Sequence, residues 1–506
     1  MKPLQTADTL NGLPVPPAPE VVRLDVEAVN RKSTRILYAA RPHIHPRRAH
    51  GTYRNVKWAV MAITLGIYYV LPWLRWNRGP DLPDQAVLLD LEHNRYFFFF
   101  LEIWPQEFYF ITGLLIMAAL GLFLFTAVAG RVWCGYACPQ TVWTDLMIAV
   151  ERFWQGDRNE RLRLDKQPWG PAKLAKKALT HVSWLLIGLA TGGAFVFYFR
   201  DAPTLVRELA TGTAPEAAYV FLGLFTLTTY VLGGLAREQV CIYMCPWPRI
   251  QGAMTDRHTL LIGYRPERGE PRGPHKNGQS WSGRGDCVDC NACVAVCPTG
   301  IDIRDGSQLE CIQCALCIDA CNDIMKRVGR PPNLIAYDTV ARQEAATAGA
   351  HEPFRPVRPR TLLYAGLLGL VSLVMLGAWF NRALIEINVL HDRNPPFVLL
   401  SDGSVRNAYT VKLLNKRQEP RTFTLETEGL PQALLKVVGV DAGAASHVKV
   451  PSDGVREVRV LVHVPAADIA ALPAASTHFS LVLRDEGAGT VSRRVTHFLS
   501  PERGKP

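Results

Sequence analysis

The residues of this 506-residue chain best suited to chemistry are its 12 cysteines, and their spacing divides them into two sets. Eight lie in Cys287-Val-Asp-Cys290-Asn-Ala-Cys293-Val-Ala-Val-Cys297-Pro298 and Cys311-Ile-Gln-Cys314-Ala-Leu-Cys317-Ile-Asp-Ala-Cys321. This is C-x2-C-x2-C-x3-C written twice, the spacing of bacterial two-cluster ferredoxins. There, three closely spaced thiolates meet three irons of a 4Fe–4S cube, and the fourth cysteine of each run serves the other cluster. The expected ligand sets are Cys287, Cys290, Cys293 and Cys321 for one cluster, and Cys311, Cys314, Cys317 and Cys297 for the other. A zinc knuckle has no use for a third cysteine at the same step, and a disulfide knot needs an oxidising compartment. Pro298 follows the first fourth-position cysteine and Asn322 the second, which changes the turn more than the ligation.

The other four cysteines form two matched pairs, Trp133-Cys134-Gly-Tyr-Ala-Cys138-Pro139 and Val240-Cys241-Ile-Tyr-Met244-Cys245-Pro246, each just past a long apolar run. On a helix this spacing sets both thiols on one face, about 5–6 Å apart at Cβ. The proline cannot continue a helix and disfavours helical geometry at the cysteine before it, so each pair is expected on a terminating turn. A lone free cysteine is usually a small buried hydrophobe; two copies of one motif at equivalent positions point to function instead. Thiolates beside the Met244 thioether make a soft set suited to Cu(I), zinc or another iron–sulfur centre. Dithiol–disulfide chemistry is equally compatible with the spacing. His181 is the only histidine in the apolar runs, so a haem held by two membrane histidines has no evident ligands. No G-x-G-x-x-G signature suggests a nucleotide site.

Five runs free of Asp, Glu, Lys and Arg position these residues: Trp58–Leu74, Phe108–Gly130, Ala178–Phe199, Ala217–Ala236 and Thr361–Asn381. At about 1.5 Å per residue they are long enough, or nearly so, to cross a bilayer. Lys plus Arg number 10 before Trp58, 9 in 131–177 and 16 in 237–360, against 3 in 75–107 and 2 in 200–216. The positive-inside rule then puts the leader and the ferredoxin block in the cytoplasm, with the remainder from about 382 on the opposite face of the membrane. The net charge of +11 follows these loops and forms no continuous basic face, so nucleic acid is not an expected partner. Arg41-Pro-His43-Ile-His45-Pro-Arg47-Arg48 reads as a solvated anchor touching anionic lipid in preference to a metal-binding arm.

Beyond the last run the pattern changes to period two, as in Tyr409–Leu413, Val458–Val464 and Phe479–Leu483, which predicts strands with one buried face. The expected fold is therefore multidomain. A cytoplasmic leader (1–56) precedes four transmembrane helices (57–236). A cytoplasmic segment (237–360) carries a two-cluster, ferredoxin-like α+β insert with its core at 280–330. A fifth transmembrane helix (361–381) leads to an all-β, immunoglobulin-like sandwich (385–500) without the inter-sheet disulfide.

Three stretches carry a resemblance to a known family. Arg131-Val-Trp-Cys134-Gly-Tyr-Ala-Cys138-Pro-Gln140-Thr-Val-Trp143-Thr-Asp145, Glu238-Gln-Val-Cys241-Ile-Tyr-Met-Cys245-Pro-Trp-Pro-Arg249-Ile-Gln251 and Cys297–Ile303 resemble the CcoG/FixG/RdxA family of cytochrome c oxidase accessory proteins. The resemblance spans almost the whole chain. It implies a role in building cbb3-type oxidase, as a cupric reductase that supplies Cu(I), with copper as substrate and two 4Fe–4S clusters as cofactors. It also implies that Cys134, Cys138, Cys241 and Cys245 carry the copper chemistry, with Met244 as an added ligand on the chemistry of its thioether. Expected partners are membrane lipid, oxidase subunits or a copper chaperone or transporter, and an electron donor the sequence does not name; a homodimer stays open. Two rival readings are a quinol-linked electron-transfer subunit and a non-enzymatic assembly scaffold.

Overall fold

The computed structural model describes residues 9–10, 13–14, 21–30, 43–79, 82–276, 279–417, 419–439, 447–469, 471–472 and 475–501. Among the described residues, five helices are long and apolar enough to cross a membrane: Thr52–Trp73, Tyr109–Ala129, Pro171–Val196, Glu216–Ala236 and Pro359–Phe380. Each coincides with one of the five apolar runs, but the first and third begin six or seven residues earlier than charge counting places them. The reason is burial of charge by protein. Arg54 and Lys57 sit in the opening turns of the first span and both face Asp145, at 2.9 and 3.8 Å. A paired, hydrogen-bonded charge can be buried where an isolated one cannot.

The third and fourth spans touch backbone to backbone. A Cβ at Gly188 would lie 2.8 Å from the Thr226 carbonyl oxygen, and one at Gly192 2.8 Å from that of Leu222. Small residues one helical turn apart are what permits so close an approach between membrane helices. Between the first two spans lies a three-stranded antiparallel sheet, Val87–Asp90, Arg95–Phe98 and Leu101–Ile103. Its strands are not legible from residue pattern, because Tyr96-Phe-Phe-Phe-Phe100 hides the alternation of a strand inside an unbroken aromatic run.

The ferredoxin-like α+β region is closed by Leu261–Tyr264 pairing antiparallel with Ile335–Asp338. Its helix Leu316–Arg327 supplies Asp319, whose carboxylate accepts the backbone N–H groups of Tyr53 and Arg54 at 3.2 and 2.7 Å. These are donors left free at the start of the first span, so Asp319 caps that helix and fastens the region to it. The leader is bound as well. Leu24, Asn30 and Arg47 donate backbone N–H groups to the carbonyls of Cys290, Gly300 and Ala295, while Ile44, His45 and Ala49 are buried. The segment 41–48, expected to be solvated, is in its described part a strap packed on protein at residues 44–46, with Arg47 and Arg48 left exposed.

The C-terminal unit, taken by itself, is a β-sandwich. One sheet orders Leu434–Val437, Gly454–Val464, Val405–Asn415 and Ile385–His391, with Val398–Leu399 also on the Val405 strand; the other orders His447–Val450, Arg421–Glu428, Ser476–Asp485 and Val491–Leu499. Tyr409, Phe423, Val460, Leu481 and Phe498 fill the space between the sheets and are fully buried. The expected strands lie inside these longer ones.

Candidate functional site

Both Cys-x3-Cys-Pro motifs begin with the same backbone event. The second span stops at Gly130, φ 63°, and the fourth at Arg237, φ 44°, each four positions ahead of its first cysteine. Left-handed backbone is natural for glycine and costs an arginine about 1 kcal/mol or more. Arg237 is held there by its side chain, which is buried and reaches Glu151 at 2.7 Å. Cys134 then lies in the short helix Val132–Tyr136, and Cys241 in a π-helical turn, Val240–Met244. Cys138 and Cys245 are extended, with ψ of 127° and 123°, as a residue before proline must be. The motifs are therefore junctions and not terminating turns: Pro139 opens the helix Pro139–Gln155, and Pro246 precedes Trp247–Met254.

The two pairs come together. Burial pushes the Cys134 thiol up to about 11; Arg131 pulls it back, and Cys138 and Cys245 push it further. Burial likewise raises Cys241 to about 12, with Cys138, Cys134 and Cys245 adding to the effect. Repulsion of this kind acts between thiols that lie near one another, and Cys134 and Cys241 pack on one apolar cluster. Cys134 Sγ donates to Gln251 Oε1 at 3.2 Å, and Arg131 Nε reaches the same oxygen at 3.3 Å. Cys245 is exposed, and Met244 is 63% exposed, so the structure does not bury the thioether with the thiols.

This four-thiol site is packed on the second cysteine run. Arg131 donates from its backbone N–H to Gln313 Oε1 at 2.7 Å and from Nη1 to the Cys311 carbonyl at 2.9 Å, and also to that of Leu309. A Cβ on Gly135 would lie 2.7 Å from the Ile312 carbonyl oxygen. Cys134, Ile312, Cys314 and Leu316 share one apolar cluster, with Cys241 and Cys317 against it.

Within the ferredoxin-like region the cysteines lie around two centres. Cys287, Cys290, Cys293 and Cys321 line one cavity together with Arg304, while Cys311, Cys314, Cys317 and Cys297 act on one another electrostatically. Each loop turns through two left-handed residues at matching steps, Asp289 and Asn291 in one, Gln313 and Ala315 in the other. That conformation aims successive backbone N–H groups inward, making a concavity for an anionic centre. Backbone N–H groups of Ala292, Gln313, Leu316 and Ile335 favour the ionised form of Cys290, Cys311, Cys314 and Cys321. Burial, with the neighbouring thiols adding to it, raises Cys311 and Cys321 to about 12 and holds Cys293 and Cys317 well above the ordinary thiol range. Thiolates in so dry a place need a cation to balance them, and iron is that cation in a cluster. The donor set and its amide surround fit 4Fe–4S clusters.

Residues 236–340 match the family model of a 4Fe-4S dicluster domain, 110–155 that of a 4Fe-4S binding domain, and 375–501 that of an IG-like fold at the C-terminal of FixG. The nitrogen fixation protein FixG of Rhizobium meliloti strain 1021 is 52% identical over 496 residues, covering 92% of this chain and 94% of its own. The chain belongs to the CcoG/FixG/RdxA family. Two further family relatives, proteins RdxB and RdxA of Cereibacter sphaeroides, are 52% and 50% identical, over 92% and 90% of this chain and 97% and 95% of their own. In this member of the FixG/RdxA family, Arg131 and Gln251 at the thiols, Arg304 at the first cysteine group and Asp319 at the first span were not singled out by sequence reasoning. Arg131 and Gln251 stand inside the motif stretches, so an arginine three residues before Cys134 was the available signal. Nothing local marks Arg304 or Asp319.

Proposed function

We propose that this membrane protein is a cupric reductase serving the assembly of cbb3-type oxidase. The observation that carries the reading is the convergence of Cys134, Cys138, Cys241 and Cys245 on the second cysteine run, where Cys134 and Cys314 share one apolar cluster. Two 4Fe–4S clusters, held by Cys287, Cys290, Cys293 and Cys321 and by Cys311, Cys314, Cys317 and Cys297, supply single electrons when bound. Cu(II) is the substrate. Cupric ion is better matched to nitrogen and oxygen, cuprous to thiolate, so a four-sulfur site favours the reduced product. Arg131 and Gln251 orient Cys134, Arg131 offsets part of the negative charge that thiolates bring, and the proline-set extended backbone fixes Cys138 and Cys245. Met244, at the rim, is a ligand only for an ion entering or leaving.

The charge distribution supports a cytoplasmic leader and ferredoxin-like region and a periplasmic sandwich, which would dock oxidase subunits or a copper carrier. A second reading has its own support: residues 110–155, which include Cys134 and Cys138, match a 4Fe-4S binding domain, so the four thiols would hold a third iron–sulfur centre. Metal analysis separates the two. The proposal expects about eight irons per chain and the same iron content in the variant with all four of these cysteines changed to serine; a third centre expects about twelve in wild type, falling by about four. Loss of iron from the variant would sink the copper reading of the four thiols.

A further inference from the structure

The strap 43–50 carries two histidines into a place that the oxidoreductase reading does not use. One ligand atom from each of His43, His45 and Glu151 lies within 4.8 Å of those of the other two. His43 Nε2 is 3.9 Å from Glu151 Oε1, and the two imidazoles meet edge to face with centroids 4.7 Å apart. His45 is buried, its side chain 4% exposed, and its Nε2 lies 2.9 Å from Asp165 Oδ2. With the proton on Nε2 donated to that carboxylate, Nδ1 presents a lone pair, and among the described residues it has no hydrogen-bond partner. A carboxylate that orients one ring nitrogen while the other stays free is the usual setting of a metal-binding histidine. We propose that His43, His45 and Glu151 form a divalent-cation site of nitrogen–oxygen character that receives Cu(II) ahead of the four thiols. Naming the ion as copper rests on the reductase reading; the ligand set does not.

The surroundings fix what kind of site this is. Arg237 Nη1 donates to His43 Nε2 at 3.1 Å, so that nitrogen is unprotonated and an entering cation takes its lone pair by displacing the guanidinium. Neutral imidazole is the form that binds metal. Glu151 Oε2 is occupied by Arg161 at 2.9 Å and Arg237 at 2.7 Å, which leaves Oε1 toward the histidines. Two guanidinium groups weaken the attraction for a cation, so the ion is held loosely and exchanges, as transit requires. His43 is about half exposed and gives entry from solvent. On the far side, Arg237 also lines a small cavity that includes Glu238 and Cys241. Imidazole and carboxylate suit the cupric ion and the thiols beyond suit the cuprous one, so the ligand change follows the change of valence.

The test uses the full chain in detergent, its clusters oxidised and the four serine substitutions in place to remove the competing thiols. One equivalent of Cu(II) is added without reductant and the EPR spectrum recorded. The site predicts one copper per chain with hyperfine coupling to imidazole nitrogen. His43→Ala and His45→Gln each weaken binding at least ten-fold, and His50→Ala, on the same strap, leaves it unchanged. Because His45 is buried, the half-exposed His43 carries the test alone if His45→Gln does not fold. Absence of nitrogen-coupled copper, or unchanged binding in His43→Ala, overturns the proposal. If the site binds copper as described while reduced wild-type protein leaves Cu(II) unreduced, the site stands and the reductase reading falls.

Discussion

Gly135→Ala tests the packing on which the functional reading depends. The added methyl would lie 2.7 Å from the Ile312 carbonyl oxygen, 2.8 Å from that of Gln313 and 2.9 Å from the Gln313 carbonyl carbon. All three are backbone atoms of the second cysteine run, so no side chain can swing away. The Cys134 turn and that run must separate by several tenths of an ångström, and overpacking of this kind costs about 1–3 kcal/mol. At roughly 2–4 °C per kcal/mol for a unit of 150–250 residues, and less for the larger unit Met1–Met375 that holds this contact, a cost of about 2 kcal/mol lowers the unfolding midpoint by at most about 4–8 °C. The same displacement strains the Arg131 bonds to Gln313 and Cys311, so cupric reduction by dithionite-reduced protein falls together with stability. Gly121→Ala is the control, since a Cβ there meets nothing within 4 Å. Differential scanning fluorimetry and anaerobic copper reduction read both quantities. A Gly135→Ala protein with the wild-type midpoint and rate would refute the contact.

Further perturbations address the charge network and the strap. Glu151→Ala leaves Arg161 and Arg237 buried without their shared carboxylate, and removing one partner of a buried pair costs about 3–5 kcal/mol; thermal unfolding should show a larger drop than for exposed Arg327→Ala, whose Asp323 pair lies at the surface. Cys293→Ser, in a thiol buried within the first cysteine group, should remove about one cluster's iron while leaving the sandwich folded, read by metal analysis and by circular dichroism of the full chain. Acid should loosen the strap. His43 takes its proton only near pH 4 when docked but near 6.5 when free, so the free strap binds more protons in that window and docking is complete above 6.5 and lost as pH falls toward 4. Hydrogen exchange over 43–50, corrected for intrinsic rates, should report falling protection from pH 7 to pH 5; constant protection would contradict the assignment.

The cysteine spacing, the five apolar runs and the alternation after residue 385 were legible because each is a local pattern that one force controls. Ligand geometry sets the first, the bilayer the second and a half-buried sheet the third. Arg54 and Lys57 were read as flanking charges because Asp145, about ninety residues away, is what lets them enter the opening turns of the first span. The left-handed Arg237 was invisible for a related reason: Glu151 and His43 hold it, and neither is near in sequence. The packing of the strap was not legible, since its Arg and Pro content describes an exposed segment, whereas its burial comes from hydrogen bonds to Ala295 and from Arg161 to the Pro46 carbonyl. In the candidate site the thiols themselves were evident, but their seat on the second cysteine run was not, because it is built by Arg131 and Gly135 meeting the backbone of a run about 180 residues later.

The central claim is that the four Cys-x3-Cys-Pro thiols are where copper is reduced, and one anaerobic experiment reaches it directly. Protein with dithionite-reduced clusters, freed of excess reductant, is mixed with one equivalent of Cu(II), and the cupric EPR signal is followed against time for wild type and for the variant carrying Cys134→Ser, Cys138→Ser, Cys241→Ser and Cys245→Ser. The account predicts loss of the cupric signal in wild type matched by cluster oxidation, with the variant at least ten-fold slower at unchanged iron content. A variant that reduces Cu(II) as fast as wild type would contradict it.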